Sequence, residues 1–264
     1  MRRHPVGAPG PGDVHLWCVP LDVPEPVVTQ LHADLVAEER ARAADLGSPR
    51  RRREFVIARA ASRRILGSYL GTAPGSVPWL VTGTGKPGLG GSPATWGVSL
   101  SHSGDLALLA VTRHRDVGVD LERIRPTTDP VALARRYFTT AEQSLVRRAP
   151  SAAVRHHHVL RLWVRKEACV KAAGAVLGEG LALAVLGSTH TWTVVRGRHP
   201  GPAGPWAVAD VGVCRGYLAA VALSGTARGR LTVLQHDPGA GDPSAAAGEE
   251  DRGDAHPIGP SPAA

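Results

Sequence analysis

Two carboxylates stand two residues apart in Val117-Gly118-Val119-Asp120-Leu121-Glu122-Arg123. The stretch follows the apolar run LALLAV (106–111) and reads as a β-strand, whose alternation sends Asp120 and Glu122 to one face about 7 Å apart. At an effective dielectric of about 20 such charges repel by roughly 2 kcal/mol. A third acid and a base sit on a helical pattern. In HVLRLWVRKEACVKAAG (158–174), residues Leu160, Trp163, Val164, Glu167 and Lys171 fall on one stripe at 100° per residue. Leu162, Cys169 and Ala173 make the other side apolar too, and charged residues so placed are paired or functional. Three carboxylates meeting at one point call for a cation. An oxygen-only ligand set suits Mg²⁺, which also takes phosphate oxygens. The competing reading neutralises the strand pair with Arg123, Arg125 or nearby arginines. It also makes Glu167 and Lys171 a surface i,i+4 pair worth about 0.2–0.5 kcal/mol.

Two further stretches suit an anion. SLSHSG (99–104) places Ser101, His102 and Ser103 before a glycine-containing turn, where hydroxyls, imidazole and turn amides donate. GTGKPG (83–88) presents Lys86 on a glycine-rich loop. Each also reads as an ordinary turn or loop. The triplet His156-His157-His158 is not expected to bind metal, because adjacent residues do not face one point; an exposed loop or helix start is expected. The run PRRRR (49–53) reads as an anion-binding stretch or a solvated helix N-terminus.

Alternating helices and strands must position these groups. Helical patterns cover 31–46, 50–71 (ended by Gly71), segments of 131–149, and 158–174. Strands are expected at 96–102, 106–112, 117–122, 191–195, 206–211, 217–223 and 231–235. The order nearly repeats, and EFVIARAASRRILG (54–67) aligns with LWVRKEACVKAAG (162–174). Two similar α+β halves follow, 13–124 and 125–235. Residues 1–12 and 236–264, rich in Gly, Pro, Ala and Ser, read as disordered tails.

At 264 residues and 43% hydrophobic content the chain is globular, with no apolar run of membrane-spanning length. The N-terminal stretch lacks the apolar region of a secretory signal. Cys18, Cys169 and Cys214 form no CxxC pair and read as buried thiols of a reduced, cytoplasmic protein. Net charge is +8, yet the segment 236–264 carries −5, so the rest carries +13. A body this basic suits an anionic partner: nucleic acid, a phosphorylated small molecule or an acidic protein.

The segments ERARAADLGSPRRRREFVIARAASRRIL, GKPG, GVSLSHSGDLALLAVTRHRDVGVDLERIRP and RLWVRKEACVKAAG, in that order over residues 35–175, resemble the Sfp-type 4′-phosphopantetheinyl transferases. The resemblance implies two α+β halves related by pseudo-twofold symmetry, with the active site between them in a monomer. It implies transfer of phosphopantetheine from coenzyme A to a serine of an apo acyl or peptidyl carrier protein, with release of 3′,5′-ADP. Carriers of polyketide, nonribosomal peptide or fatty acid synthesis would be the partners, rather than nucleic acid or membrane. By position, Asp120, Glu122 and Glu167 resemble Mg²⁺ ligands and Lys171 a lysine near the pyrophosphate. Lys86, Ser101 and His102 match holders of coenzyme A phosphates, and Arg42 and Arg53 lie where contacts to the nucleotide end are expected. Glu167 would take the serine proton, and the segment RIRPTTDPVALARRYF (123–138) would join the docking surface. Three features depart from the pattern: Glu39 stands where some members have lysine, KAAGAVLGEGL (171–181) lengthens the usual glycine turn, and the acidic segment after residue 235 has no counterpart. A catalytically silent carrier- or coenzyme A-binding module is the alternative, against which the intact Asp120, Glu122, Glu167 and Lys171 count. A metal-dependent nuclease leaves SHSG and GKP without a role.

Overall fold

The computed structural model describes residues 7–81, 83, 85–90, 96–125, 130–175, 183–189, 191–197 and 204–240. Among the described residues, ten strands and six α-helices are laid down in order. β1 (Val14–Pro20) leads to α1 (Glu25–Ala33), α2 (Ala37–Asp45) and α3 (Pro49–Leu70). A short hairpin of β2 (Trp79–Val81) and β3 (Pro87–Leu89) precedes β4 (Trp96–Ser103), β5 (Leu106–Arg113) and β6 (Val117–Arg123). Then come α4 (Pro130–Tyr137), α5 (Thr140–Arg147) and α6 (Ala152–Ala173). β7 (Thr193–Val195), β8 (Trp206–Val211), β9 (Tyr217–Ser224) and β10 (Leu231–Gln235) follow. None of these helices is long and apolar enough to cross a membrane.

The main strands form two four-stranded sheets, ordered β10-β1-β5-β4 and β6-β9-β8-β7. Among the described residues, only the β1–β10 pairing is parallel. Strand β6, grouped with the first half in the sequence, hydrogen-bonds to β9 from Val117↔Leu223 to Arg123↔Tyr217. Strand β10, from the far end of the second half, crosses to β1. A cut at residue 124 therefore does not follow the sheets. β1 and the β2–β3 hairpin carry no signal that the sequence reading used, while the expected helix 31–46 is two helices, broken at Asp34–Val36.

Strand alternation explains the layering. On β5, Leu106, Leu108 and Ala110 join β1, β6, β8 and β9 in a core between the two sheets. Ala107, Leu109 and Val111 face the other way, into a core with α1–α3. Residues Val208, Ala220 and Ala222 of the second sheet pack against α4–α6. The order is helices, sheet, sheet, helices, and strands buried on both faces are apolar throughout. The two 22-residue helices are bounded alike. Ser48 and Ser151 cap α3 and α6, and Gly71 and Gly174 end them in the left-handed region at φ 65° and 63°. Residues 236–240 are held: His236 N donates to Cys18 O (3.0 Å) and Arg64 to Pro238 O (3.0 Å). The remaining parts of the expected tails, 1–6 and 241–264, part of the expected docking segment, 126–129, and part of the lengthened glycine turn, 176–181, lie outside the described residues. Cys18 and Cys169 are buried as expected, whereas Cys214, in the β8–β9 turn, is exposed.

Candidate active site

The site is built on one face of β6. Val119 and Leu121 point into the core between the sheets, so Gly118, Asp120 and Glu122 point toward α6. Gly118 lets the helix come close: a Cβ there would lie 2.0 Å from Ala168 O and 2.3 Å from Ala172 N. These two residues flank the turn that carries Lys171. The glycine thus sets the distance between the strand carboxylates and the helix residues that face them.

The other wall is β4. Its residues Ser99, Ser101 and Ser103 share one face and meet β6 in step. Val119 N donates to Ser99 Oγ (3.0 Å), Ser101 Oγ donates to Asp120 Oδ1 (2.8 Å), and Ser103 Oγ donates to Glu122 Oε2 (2.9 Å). Each sheet ends at this seam, and serine side chains replace the backbone ladder between two edge strands. Ser101, expected at a coenzyme A phosphate, is 6% exposed and engaged with Asp120. By type these hydroxyls are anion donors; their period of two is the sequence signal for a seam.

Leu100, Ser101, His102, Asp120, Glu122, Trp163, Glu167 and Lys171 line a cleft of about 320 Å³. Lys171 Nζ donates to Asp120 Oδ1 at 2.6 Å and to Ser101 Oγ at 3.0 Å. Asp120 Oδ2 is buried without a hydrogen-bond partner. Burial pushes both Glu122 and Glu167 above the ordinary glutamate range, and the Asp120 charge adds to the rise in each. Lys171 opposes the rise in both, and the Ser103 hydrogen bond opposes it in Glu122. Among the described residues no three acid, histidine or cysteine side chains stand as a formed metal cage; the Lys171 ammonium lies against Asp120. The donor set nevertheless fits a hard divalent cation: carboxylate oxygens only, one of them orphaned, and two acids whose charges are opposed by burial. A second cavity of about 350 Å³ adjoins it. It shares Glu122 and Trp163 and adds Arg125, Leu133, His156 and Val159.

Three predicted binding residues do not line this cleft. Lys86 Nζ pairs with Asp116 (2.5 Å) and donates to Ala172 O (2.8 Å), at the C-terminal end of α6. Arg53 pairs with Glu25 and donates to Val23 O. Arg42 lies 5.5 Å from the Phe55 ring centroid, and Arg59 shares that ring at 5.6 Å while stacking 4.0 Å over Trp79. Glu39 is engaged by Arg63 at 2.7 Å and lies 3.5 Å from Arg59, whose pKa burial lowers to about 10. The histidines 156–158 fall in the first two turns of α6, with His157 exposed.

Lys166, the neighbour of Glu167, has a partner that spacing along the helix does not reveal. Lys166 and Glu142 are both fully buried and paired at 2.9 Å. Glu142 accepts from Thr139 N (2.9 Å) and Val185 N (2.8 Å), and Lys166 donates to Leu183 O. The pair fastens α5 and the 183–185 segment to the back of α6.

The model of the 4′-phosphopantetheinyl transferase superfamily matches residues 116–222, from β6 through α6 and into β9. The chain is similar to the 4′-phosphopantetheinyl transferase HetI of Nostoc sp. (strain PCC 7120), 44% identical over 164 residues, 61% of this chain and 69% of that protein. It is similar to the 4′-phosphopantetheinyl transferase AcpT of Salmonella typhi, 36% identical over 110 residues, 40% and 54% of the two chains. A third relative is the L-aminoadipate-semialdehyde dehydrogenase-phosphopantetheinyl transferase of Xenopus laevis, 36% identical over 109 residues, 38% and 36%. With Asp120, Glu122, Glu167 and Lys171 inside the matched segment, and HetI aligned over more than two thirds of its length, the chain belongs to the 4′-phosphopantetheinyl transferase superfamily.

Proposed function

We propose that this chain moves the 4′-phosphopantetheinyl group of coenzyme A onto a serine hydroxyl of an apo acyl or peptidyl carrier protein, releasing 3′,5′-ADP, in the cleft between β4, β6 and α6. The transfer itself accords with the chain's family and its relatives; a catalytically silent binding module is not favoured. The observation that carries the assignment of residues is Asp120, with one oxygen on Lys171 and the other orphaned, beside Glu122 and Glu167.

Asp120, Glu122 and Glu167 would hold Mg²⁺. Bound there, the ion would supply Lewis-acid neutralisation of charge on the pyrophosphate. The remaining work falls to the chain's own residues. Glu167, whose affinity for a proton is raised by burial, accepts the proton of the carrier serine. The serine oxygen bonds to the phosphorus that bears pantetheine, and the bond from that phosphorus to the bridging oxygen of 3′,5′-ADP breaks. Lys171, held between Asp120 and Ser101, offers its ammonium to the departing phosphate oxygen. Ser101 and Ser103 fix the carboxylates in place, and His102 and Lys86 contribute to holding phosphates, the latter after exchanging its Asp116 pairing. Arg42 and Arg53 contact the nucleotide end. The adjoining cavity past Trp163 gives room to the pantetheine arm. The repeated order of short helices, long helix and strands supports halves related by a pseudo-twofold axis, acting as a cytoplasmic monomer on carriers of polyketide, nonribosomal peptide or fatty acid synthesis.

The test is a mass measurement on an apo carrier protein incubated with the chain, coenzyme A and Mg²⁺. The phosphopantetheine mass gain is expected, lost on chelation and restored by Mg²⁺. It is also expected to vanish in Asp120→Ala and Glu167→Ala proteins that keep native circular dichroism. No gain with any of several carriers would sink the transferase reading. A gain that survives chelation would sink the metal assignment alone.

A further inference from the structure

The last turn of α6 leaves one of its carbonyls to a side chain. Gly174 N donates to Lys171 O (3.2 Å) and Ala175 N to Val170 O (3.1 Å), the pairing of a left-handed helix end. Ala172 O instead accepts from Lys86 Nζ at 2.8 Å, on the loop between β2 and β3. An ammonium there also opposes the negative end of the helix dipole. The same nitrogen meets Asp116 Oδ1 at 2.5 Å. The main chain of Asp116 is fixed to the end of β9. Asp116 N donates to Ser224 Oγ (3.1 Å), and Ser224 N donates to Asp116 O (3.0 Å). Its carboxylate, by contrast, has 61% of its side chain exposed, against 17% for Lys86. It can turn to water without leaving a buried charge unpaired.

Two lysine–aspartate pairs therefore lie along β6 and the residue before it. Lys86 meets Asp116, and Lys171, the neighbour of Ala172, meets Asp120. Four extended residues set the two aspartates about 13 Å apart. Coenzyme A carries phosphate at two positions, the 5′-pyrophosphate and the 3′-phosphate, and so presents anions at separate points. At either pair a phosphate oxygen can replace the aspartate as the partner of the lysine. The two replacements differ in cost. Asp120 is buried and loses much without a cation, whereas Asp116 gives up an exposed pairing of the weak kind.

We propose that Asp116 holds the place of a coenzyme A phosphate on Lys86 and, by competing with it, sets the affinity for that substrate. On binding, a phosphate oxygen takes the position of the Asp116 carboxylate, and Asp116 turns to solvent. Ala172 O keeps its bond to Lys86, so the ammonium stays fixed at the end of α6 in both states and needs no reordering. This competition presupposes that Lys86 meets a coenzyme A phosphate, as in the transferase reading.

Calorimetric titration with coenzyme A and Mg²⁺ at low salt compares the full native chain with Asp116→Asn, circular dichroism confirming the fold. Without the competing carboxylate, binding is expected to tighten about three- to fivefold, the range of an exposed ion pair. The difference should vanish in 1 M salt, where the Debye length falls to about 3 Å. In a Lys86→Gln chain, whose amide can still donate to Ala172 O without charge, adding Asp116→Asn should leave the affinity unchanged. In a Lys86→Arg chain it should again tighten binding. Dephospho-coenzyme A assigns the group: a gain confined to coenzyme A places the 3′-phosphate on Lys86, and a gain shared by both places the pyrophosphate there. Unchanged or weaker binding by Asp116→Asn overturns the proposal, as does an equal gain in the Lys86→Gln chain. Those results leave the transferase reading standing. A native chain that does not bind coenzyme A at all overturns that reading and the competition with it.

Discussion

Lys171 Nζ lies 2.6 Å from Asp120 Oδ1, so the strand carboxylate at the centre of the site is met by a cation from the helix opposite. The pair has two duties. In the protein alone it offsets the cost of a carboxylate that is 4% exposed; in the proposed transfer the same ammonium would face the leaving phosphate. Lys171→Met removes a charged hydrogen-bond partner from a buried acid and should cost about 1.5–3 kcal/mol of stability in urea unfolding. Single-turnover transfer should slow by about 10²–10³-fold, the loss typical of one donor to a developing charge. A variant as stable as the native chain would mean that Asp120 does not depend on this lysine.

The acids of the cleft make a prediction of opposite sign. Burial holds Glu122 and Glu167 above the ordinary value of 4.5, with Asp120 adding to both. On unfolding they would return to that value. Between 4.5 and their native values the folded chain holds more protons than the unfolded one. Metal-free stability should therefore fall as pH rises through that window and stay lowered above it. Glu122→Gln should flatten the fall and stabilise the metal-free chain at neutral pH by about 1–2 kcal/mol, the scale of two charges about 7 Å apart at an effective dielectric of about 20. Urea unfolding in chelator between pH 4 and 8 measures it. Parallel curves for variant and native chain would remove the repulsion from the account.

Much of this site was legible because it obeys two periods. Asp120 and Glu122 declare a strand face by spacing of two, and Glu167 and Lys171 a helix stripe by spacing of four. Lys86 and Arg53 illustrate what spacing leaves out. Their residue type says cation, but their partners, Asp116 and Glu25, come from distant segments. The seam was hidden for a related reason. A serine on an edge strand reads as a donor to anything nearby, and only the docking of β4 against β6 decides for Asp120 and Glu122. Strand β6 itself is legible, but its partner is not: a short turn leads to it from β5, while its hydrogen bonds go to β9, about a hundred residues later.

Gly118 was one such hidden constraint. The atoms a Cβ would meet there, Ala168 O at 2.0 Å and Ala172 N at 2.3 Å, are backbone. They cannot turn aside as a side chain would. Gly118→Ala should push α6 off the strand, costing about 1–3 kcal/mol of stability. A shift near 1 Å between Lys171 and Asp120 should lower kcat by about 10²-fold. Because the obstruction is main chain, adding Ala168→Gly should not restore activity; recovery in that double variant would place the clash elsewhere.

The buried pair behind α6 gives the sharpest contrast between removing one charge and removing two. Lys166 and Glu142 are fully buried at 2.9 Å, and Glu142 also ties down Thr139 N and Val185 N. Lys166→Met leaves that carboxylate without its cation, and the expected loss is about 3–5 kcal/mol in urea unfolding. Lys166→Met with Glu142→Leu removes both charges, so the double variant should be less destabilised than Lys166→Met alone. The remaining deficit reports the hydrogen bonds to Thr139 and Val185. Since Glu167 follows Lys166 directly in the helix, the double variant should also regain part of its transfer rate as stability returns. Additive losses in stability would mean that the two charges do not act as a pair.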